Sequence, residues 1–389
     1  MIRIFPIPQQ LVSFQTAQSI MQSLYLDLLD DTLRSAVRDA SLSFVEAQTR
    51  FVAERQQPDG GFRGRQGGSD AYYSDFALRC LTLLAPDHPA WEHVKDYVAL
   101  QSPAPRTVVE CFSILNMCRM LLKKGTGSEP EDACAAENGG REVPVPLFQQ
   151  AAGSELGATG SASATGVMGG LSTRRKGTGS EPEGASAAED SCREVPVPFL
   201  QQPAILTKHL LPTGGLSRSP GDRCVSAYQT FLGALSFSLL GIPMPNVDAT
   251  IQAIRSLQRR DGGFAERNDQ AESQTNATAA AVAFLTMHDA IASEETNAIV
   301  SFLAAMQSAD GGLQAHAAAF QGDLLSTFTG LVTLKALDRL AAIDTARAAR
   351  FLQRAALPEG GFTACAGDTE ADVEYTYYGL GVFALLRTP

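Results

Sequence analysis

No run of about 20 apolar residues occurs anywhere in the 389-residue chain, so the sequence offers no candidate membrane-spanning helix. Positive charge is also short: 31 Lys and Arg against 42 Asp and Glu leave a net charge of -11. A phosphate backbone demands a basic face that this balance does not supply, which argues against nucleic acid as a partner. The seven cysteines are odd in number and scattered, and Cys80, Cys111 and Cys118 fall inside apolar segments. That is the usage of reduced thiols, not of a disulfide framework. The opening MIRIFPIPQQ lacks the long apolar core of a secretory leader. These absences together lead us to expect a cytoplasmic chain, and 44% hydrophobic residues are ample for a core.

What the chain does have is a repeated turn. DGGF stands at 59–62 and again at 261–264, with TGGL at 213–216, DGGL at 310–313 and EGGF at 359–362. First glycines at 214, 262, 311 and 360 give a period of 48 or 49 residues, the length of a helical hairpin repeat. Ahead of each turn runs an amphipathic segment such as NVDATIQAIRSLQ (246–258), with Asn246 placed to cap it. The glycines end that helix, and the Phe or Leu after them can tuck back onto it. About twelve residues past the first glycine a second, more apolar helix begins, at 72, 226, 274, 323 and 372. Helices apolar nearly all round must be buried on all sides. The pattern therefore predicts a closed or stacked set of hairpins, apolar helices inside and amphipathic ones outside. A sixth unit, HPAWEHVKDYVALQ (88–101) followed by VVECFSILNMCRMLL (108–122), has SPAPR in place of the glycine turn.

Residues 123–203 interrupt this order. KGTGSEPEDACAAENGGREVPVP (124–146) recurs as KGTGSEPEGASAAEDSCREVPVP (176–198), rich in Gly, Ser, Ala, Pro and Glu and without apolar periodicity. We expect a disordered, low-complexity duplication inserted between a first part (1–122) and the remainder (204–389) of one body.

Six hairpins with GGF turns and apolar inner helices resemble the all-α, α/α toroid shared by protein prenyltransferase β subunits and the squalene-hopene and terpenoid cyclases. The resemblance implies a barrel of six inner helices around a cavity that holds an isoprenoid chain. The segment DVEYTYYGL (372–380) is similar to the last repeat of prenyltransferase β subunits. In that family an aspartate, a cysteine two residues on and a last-repeat histidine hold zinc, which makes an acceptor thiol a thiolate. Asp323 stands at the first of these positions, but Leu325 stands at the second and Tyr375 at the third. The stretch HAAAFQG (316–322), where the family's diphosphate-binding basic residues are expected, contains only His316. The cyclase signature Asp-x-Asp-Asp is absent too: YLDLLDD (25–31) has the wrong spacing and DTEAD (368–372) is only loosely similar.

At the shared register the helix beginnings contribute Tyr72, Asp75, Glu110, Tyr228, Gln229, Asn276, Asp323, Ser326, Asp372, Glu374 and Tyr375, with Phe76, Phe112, Phe231, Phe328 and Tyr378 deeper. The expected lining is aromatic below and acidic at the mouth. Aromatic faces suit an isoprenoid chain and a developing carbocation. Carboxylates suit a divalent cation, Mg or Zn, bridging to diphosphate, or a protonated general acid. Candidate catalytic residues are Asp323, Asp372, Glu374 and Tyr375; candidate binding residues are Tyr72, Asp75, Phe76, Glu110, Tyr228, Asn276, Phe328 and Tyr378; Asp323 is the candidate metal ligand. Acids in a first helical turn also serve as caps, and Tyr375, Tyr377 and Tyr378 are too close in sequence for all three to face one cavity. Glu374 is the hardest to explain as a cap. Asp222-Arg223-Cys224 spells Asp-x-Cys in the wrong repeat and register, a coincidence. Arg63, Arg65, Arg218 and Arg267 follow glycine turns, either as ordinary loop residues or as charge for a diphosphate.

Three readings stay open: transfer of a prenyl group from an isoprenoid diphosphate, for which the resemblance implies an α-helical partner chain; terpenoid cyclisation with Glu374 or Asp372 as a non-standard acid; and a non-catalytic toroid that binds a lipid or a protein.

Overall fold

Each repeat is organised by its glycine turn. In the computed structural model, which describes residues 24–100, 107–125 and 204–387, Gly262 N donates to the Arg259 carbonyl (3.0 Å) and Arg259 N to the Gly263 carbonyl (2.8 Å). Gly262 sits at φ +91°, and a Cβ there would lie 2.2 Å from the Ala298 carbonyl oxygen. Only glycine meets both demands. Asp261 Oδ1 accepts from Gly263 N (3.0 Å) and from Ser273 Oγ (2.7 Å), which holds the turn to the loop that follows.

The residue after the glycines locks the turn to the next helix. Phe264 is wholly buried, and its N–H donates to Thr278 Oγ1 at 2.8 Å. The same bond joins Phe62 to Ser74 (2.8 Å), Leu216 to Thr230 (2.9 Å) and Leu313 to Thr327 (2.9 Å). A buried N–H without a partner would cost about 1–3 kcal/mol, so each hydroxyl is a structural requirement. Three residues further along, the inner helix is small: Gly233, Gly330 and Gly379 lie under the side chains of Leu216, Leu313 and Phe362, where a Cβ would come within 2.5 Å of them.

Among the described residues thirteen α-helices follow: α1 (Leu24–Val37), α2 (Leu42–Ala53), α3 (Ala71–Leu84), α4 (Ala90–Leu100), α5 (Val108–Gly125), α6 (Ala204–His209), α7 (Ala227–Leu239), α8 (Val247–Arg255), α9 (Thr275–Met287), α10 (Ser293–Ala305), α11 (Leu324–Ala336), α12 (Thr345–Ala355) and α13 (Val373–Leu385). The inner helices pack in sequence, α3 on α5, then α7, α9, α11 and α13, and α13 returns to α3 and closes the ring. Outer helices α2, α4, α8, α10 and α12 each lie against the inner helix that follows them in the chain. This is the all-α, α/α toroid that the repeats predict, and the sixth, turn-less unit takes its place in it as α4 and α5. All described residues belong to one compact unit. The duplicated insert beyond Gly125 and the SPAPR segment lie outside the described residues.

One local expectation changes. Asn246 does precede α8, but it adopts a left-handed conformation (φ 53°, ψ 44°) and its side chain caps nothing, unlike the extended residue that side-chain capping requires. Ahead of the repeats, residues 24–37 have a structural role. Helix α1 packs against α13 and α3 and is tied to α5, where Arg119 donates from Nη1 to Asp27 (2.5 Å) and from Nη2 to Asp30 (2.6 Å). Arg119 Nε reaches Asn116 (2.9 Å), whose amide donates to Asp75 on α3 (2.6 Å). Among the described residues Cys80, Cys111, Cys118, Cys224 and Cys365 are free thiols, and no helix is long and apolar enough to cross a membrane.

The turn geometry gives a direct test. Gly262→Ala forces both a left-handed backbone and a clash with Ala298, whereas Gly67, at φ +87°, has nothing within 4 Å of its added Cβ. We expect Gly262→Ala to lower the unfolding free energy by about 1–3 kcal/mol or more and Gly67→Ala by clearly less, read from urea unfolding midpoints.

Candidate functional site

The ring encloses a cavity of about 600 Å³, within the ~300–1,000 Å³ usual for small-molecule sites. Its space comes from one wall: α9 presents Ala277, Ala279, Ala280 and Ala283, where the other inner helices present rings. Opposite them Phe76 and Tyr378 meet edge to face (5.4 Å between centroids), and Phe328 stacks on Tyr378 (5.4 Å) and meets Tyr377 edge to face (5.5 Å). Phe328 can lie there because position 381 is glycine, where a Cβ would be 2.2 Å from its ring. Helix α1 adds Tyr25, Leu26 and Leu29 to the wall, with Tyr25 edge-on to Phe231 at 5.6 Å.

Of the residues expected on the wall, the structure brings together Tyr72, Asp75, Phe76, Phe112, Tyr228, Gln229, Phe231, Asn276, Phe328 and Tyr378. The first turns of the inner helices hold the others elsewhere. Asp323 is the N-cap of α11 and accepts from Ser326 N and Ser326 Oγ, both at 2.7 Å. Asp372 is the N-cap of α13: it accepts from Tyr375 N (2.9 Å) and pairs with Arg65 Nε (2.9 Å). Asp70 caps α3 in the same way, accepting from Tyr73 N at 2.9 Å. Tyr375 lies with its ring centroid 5.6 Å from the Arg65 guanidinium. Glu110 sits in the first turn of α5, its N–H bonded to Thr107 Oγ1 (3.0 Å).

Glu374 stands behind the wall, joined to it by two tyrosines. Its Oε1 accepts from Tyr72 Oη at 2.6 Å and from Tyr378 Oη at 3.1 Å. Burial holds its carboxyl above the usual carboxylate range, and the hydrogen bond from Tyr72 pulls it back in part. Burial also raises Asp323 against the bonds from Ser326.

The set of ligands that the resemblance implies for zinc does not assemble. Both oxygens of Asp323 are engaged by Ser326, Leu325 and Tyr375 offer no imidazole or thiolate, and no group of three or more His, Cys, Asp and Glu side chains converges among the described residues. Nor does Asp222 meet Cys224 as a ligand pair; it accepts from Arg267 Nη1 (2.7 Å).

The structure adds residues that the register alone did not single out. Arg79 projects from α3 onto the cavity wall, where its Nη2 donates to Asp75 at 2.7 Å. Its guanidinium lies 5.1 Å from the Phe76 ring centroid, 5.3 Å from Phe112 and 5.4 Å from Tyr377. Burial pushes the Asp75 carboxyl up, and Arg79 and Asn116 pull it down. An acid and an arginine four residues apart in YYSDFALRCLTLL was the available signal, since an otherwise apolar inner helix keeps such a pair only if it is matched inside. At the rim, loops after two glycine turns supply Arg218, Glu266, Arg267 and Gln270. Arg267 is paired with Asp222 and Asp269, whereas Arg218 is exposed.

Because Glu374 is held protonated more readily when folded, the native state binds more protons than the unfolded chain from about pH 4.3 upward. Its contribution to stability is therefore lost as pH rises through the raised folded value. We expect the melting temperature of Glu374→Gln minus that of the wild type to grow as pH is raised from about 4 to 7, read by thermal denaturation across that range.

Among solved structures, the chain is similar to protein geranylgeranyltransferase-I of Candida albicans complexed with GGPP: 16% identity, TM-score 0.39, 44% of this chain and 51% of that one. It thus spans about half the length of that transferase chain. It is also similar to the type II terpene cyclase MstE from Scytonema: 12% identity, TM-score 0.49, 92% of this chain and 97% of that one. No curated protein matches it. Residues 19–134 and 222–389 match the model of the prenyltransferase alpha-alpha toroid domain, and the chain belongs to that family.

Proposed function

We propose that the toroid binds an isoprenoid diphosphate, its chain in the central cavity and its diphosphate at the rim, and transfers the prenyl group to an acceptor. The observation that carries this reading is the division of one cavity into an aromatic and alanine-lined barrel and a rim bearing Arg218 and Arg267. The barrel supplies apolar surface at about 25 cal/mol per Å² buried, and the alanines of α9 add no polar group of their own to desolvate. Arg218 offers the rim a guanidinium suited to phosphate oxygens. Phe76, Phe328 and Tyr378 flank the chain, and Glu374, in the first turn of α13, holds the hydroxyls of Tyr72 and Tyr378 from behind the wall. In the transfer step the bond from the allylic carbon to the diphosphate oxygen breaks, and its electron pair leaves with the diphosphate. The acceptor's lone pair forms the new bond to that carbon, and its proton passes to solvent. No step is assigned to a metal, since the described residues do not present a ligand set.

Cyclisation is the second reading, favoured by Glu374, a buried carboxyl bonded to two tyrosines of the wall. Arg79 weighs against it. A carbocation migrating down the barrel would meet a fixed positive charge, and three of the aromatic rings that would stabilise it already face that guanidinium.

Titration calorimetry and native mass spectrometry with farnesyl and geranylgeranyl diphosphates, with and without Mg²⁺, test the proposal. We expect binding to the wild type, about tenfold weaker binding for Arg218→Ala, corresponding to about 1.4 kcal/mol, and none for Ala280→Trp, which fills the barrel. Binding that survives Ala280→Trp unchanged would place the ligand elsewhere and overturn the reading; binding without products from any acceptor tested would leave a lipid-binding module.

A further inference from the structure

Arg79 is not accounted for by the chain of a plain isoprenoid. It lies seven residues, or about 10 Å of helix, beyond Tyr72 at the start of α3, well inside the barrel. Its side chain is 12% exposed, and as a wall residue it turns that remainder to the cavity. Among the described residues the guanidinium makes one hydrogen bond, from Nη2 to Asp75. Nε is shut off from solvent without a partner, and no described residue accepts from Nη1. A guanidinium carries five N–H donors, and buried donors are normally matched. The rings of Phe76, Phe112 and Tyr377 attract its charge but accept no conventional hydrogen bond.

Nor does the ion pair explain itself as a device for stability. A buried pair can be replaced by apolar residues of similar volume at little cost or with a gain, and in a cavity for a hydrocarbon such residues would also fit the ligand better. The three rings around Arg79 hold it in one orientation, which is the arrangement of a recognition group.

We infer that the chain taken up by the cavity carries an oxygen function of its own, a hydroxyl or carboxylate part-way along or at its far end, which accepts a hydrogen bond from Arg79. The substrate class is then an oxygenated isoprenoid, not a pure hydrocarbon chain. Asp75 is the positioning residue: it holds Nη2 and is itself held by Asn116, which leaves Nη1 as the donor for a group in the lumen. This inference rests on the isoprenoid reading of the cavity.

The test compares farnesyl diphosphate with farnesyl diphosphate bearing a terminal hydroxyl and with one bearing a terminal carboxylate, each titrated by calorimetry into the full-length wild type and two variants. Arg79→Lys keeps a charge but not the planar fork. The double variant Asp75→Asn with Arg79→Met removes both charges together, so that neither is left buried alone. We expect at least one oxygenated compound to bind the wild type about tenfold more tightly than the plain one. That ratio should shrink in Arg79→Lys and fall to about one in the double variant. Equal binding of all three compounds to the wild type overturns the inference and leaves the isoprenoid reading standing, as does a preference that persists in the double variant. Failure of all three to bind the wild type removes the isoprenoid reading itself. Should the double variant not fold, the ratio in the wild type and in Arg79→Lys still decides.

Discussion

In five of the six repeats, the Phe or Leu that follows two glycines is the constraint on which this toroid depends. In four of them, at Phe62, Leu216, Phe264 and Leu313, its backbone N–H is bonded to a hydroxyl one turn into the next inner helix, and its side chain is wholly buried in all five. The glycine before it leaves no room for a Cβ against the neighbouring hairpin. Turn, inner helix and next outer helix are thereby fixed to one another, and repetition every 48 or 49 residues from Gly214 to Gly360 makes successive hairpin steps there alike. A constant step closes the ring, and it brings every inner-helix N-terminus to the same end.

That common end explains why the acids cluster there and what most of them do. Asp70, Asp323 and Asp372 occupy the same capping position in three repeats, where Ser226 and Gln274 stand in two others. A capping site has to accept from the first free N–H groups, and Asp does so with help from the helix dipole. The carboxylates that remain, Glu374 behind its two tyrosines and Asp75 against Arg79, are matched inside the structure. The polarity of the cavity is therefore set by arginine and tyrosine more than by a ring of acid.

Much of this was legible in the sequence. The glycine spacing marked the hairpins, the apolar segments from 72, 226, 274, 323 and 372 became inner helices to within a residue or two, and the rings of Phe76, Phe112, Phe231, Phe328 and Tyr378 lie on the cavity wall. These features repeat, and repetition turns a weak local signal into a register. Helix α1 has no partner repeat, so nothing local in YLDLLDD indicated that it would bind Arg119 and line the cavity with Tyr25, Leu26 and Leu29. The threonine and serine that accept from the turns were visible at a constant offset, but an offset acquires meaning only when the turn is seen folded onto the helix.

By itself, then, the sequence determined that hairpins recur, which helix of each pair is buried and which residue types begin the inner helices, because periodicity and glycine conformations are properties of short segments. Only the tertiary structure decided which first-turn acids cap and which face another chain element, that alanines on α9 leave the barrel open, and that Arg79 enters it with donors to spare. Those outcomes depend on which side chains of different hairpins meet across the axis. That meeting is set by closure of the ring, and no single repeat contains it.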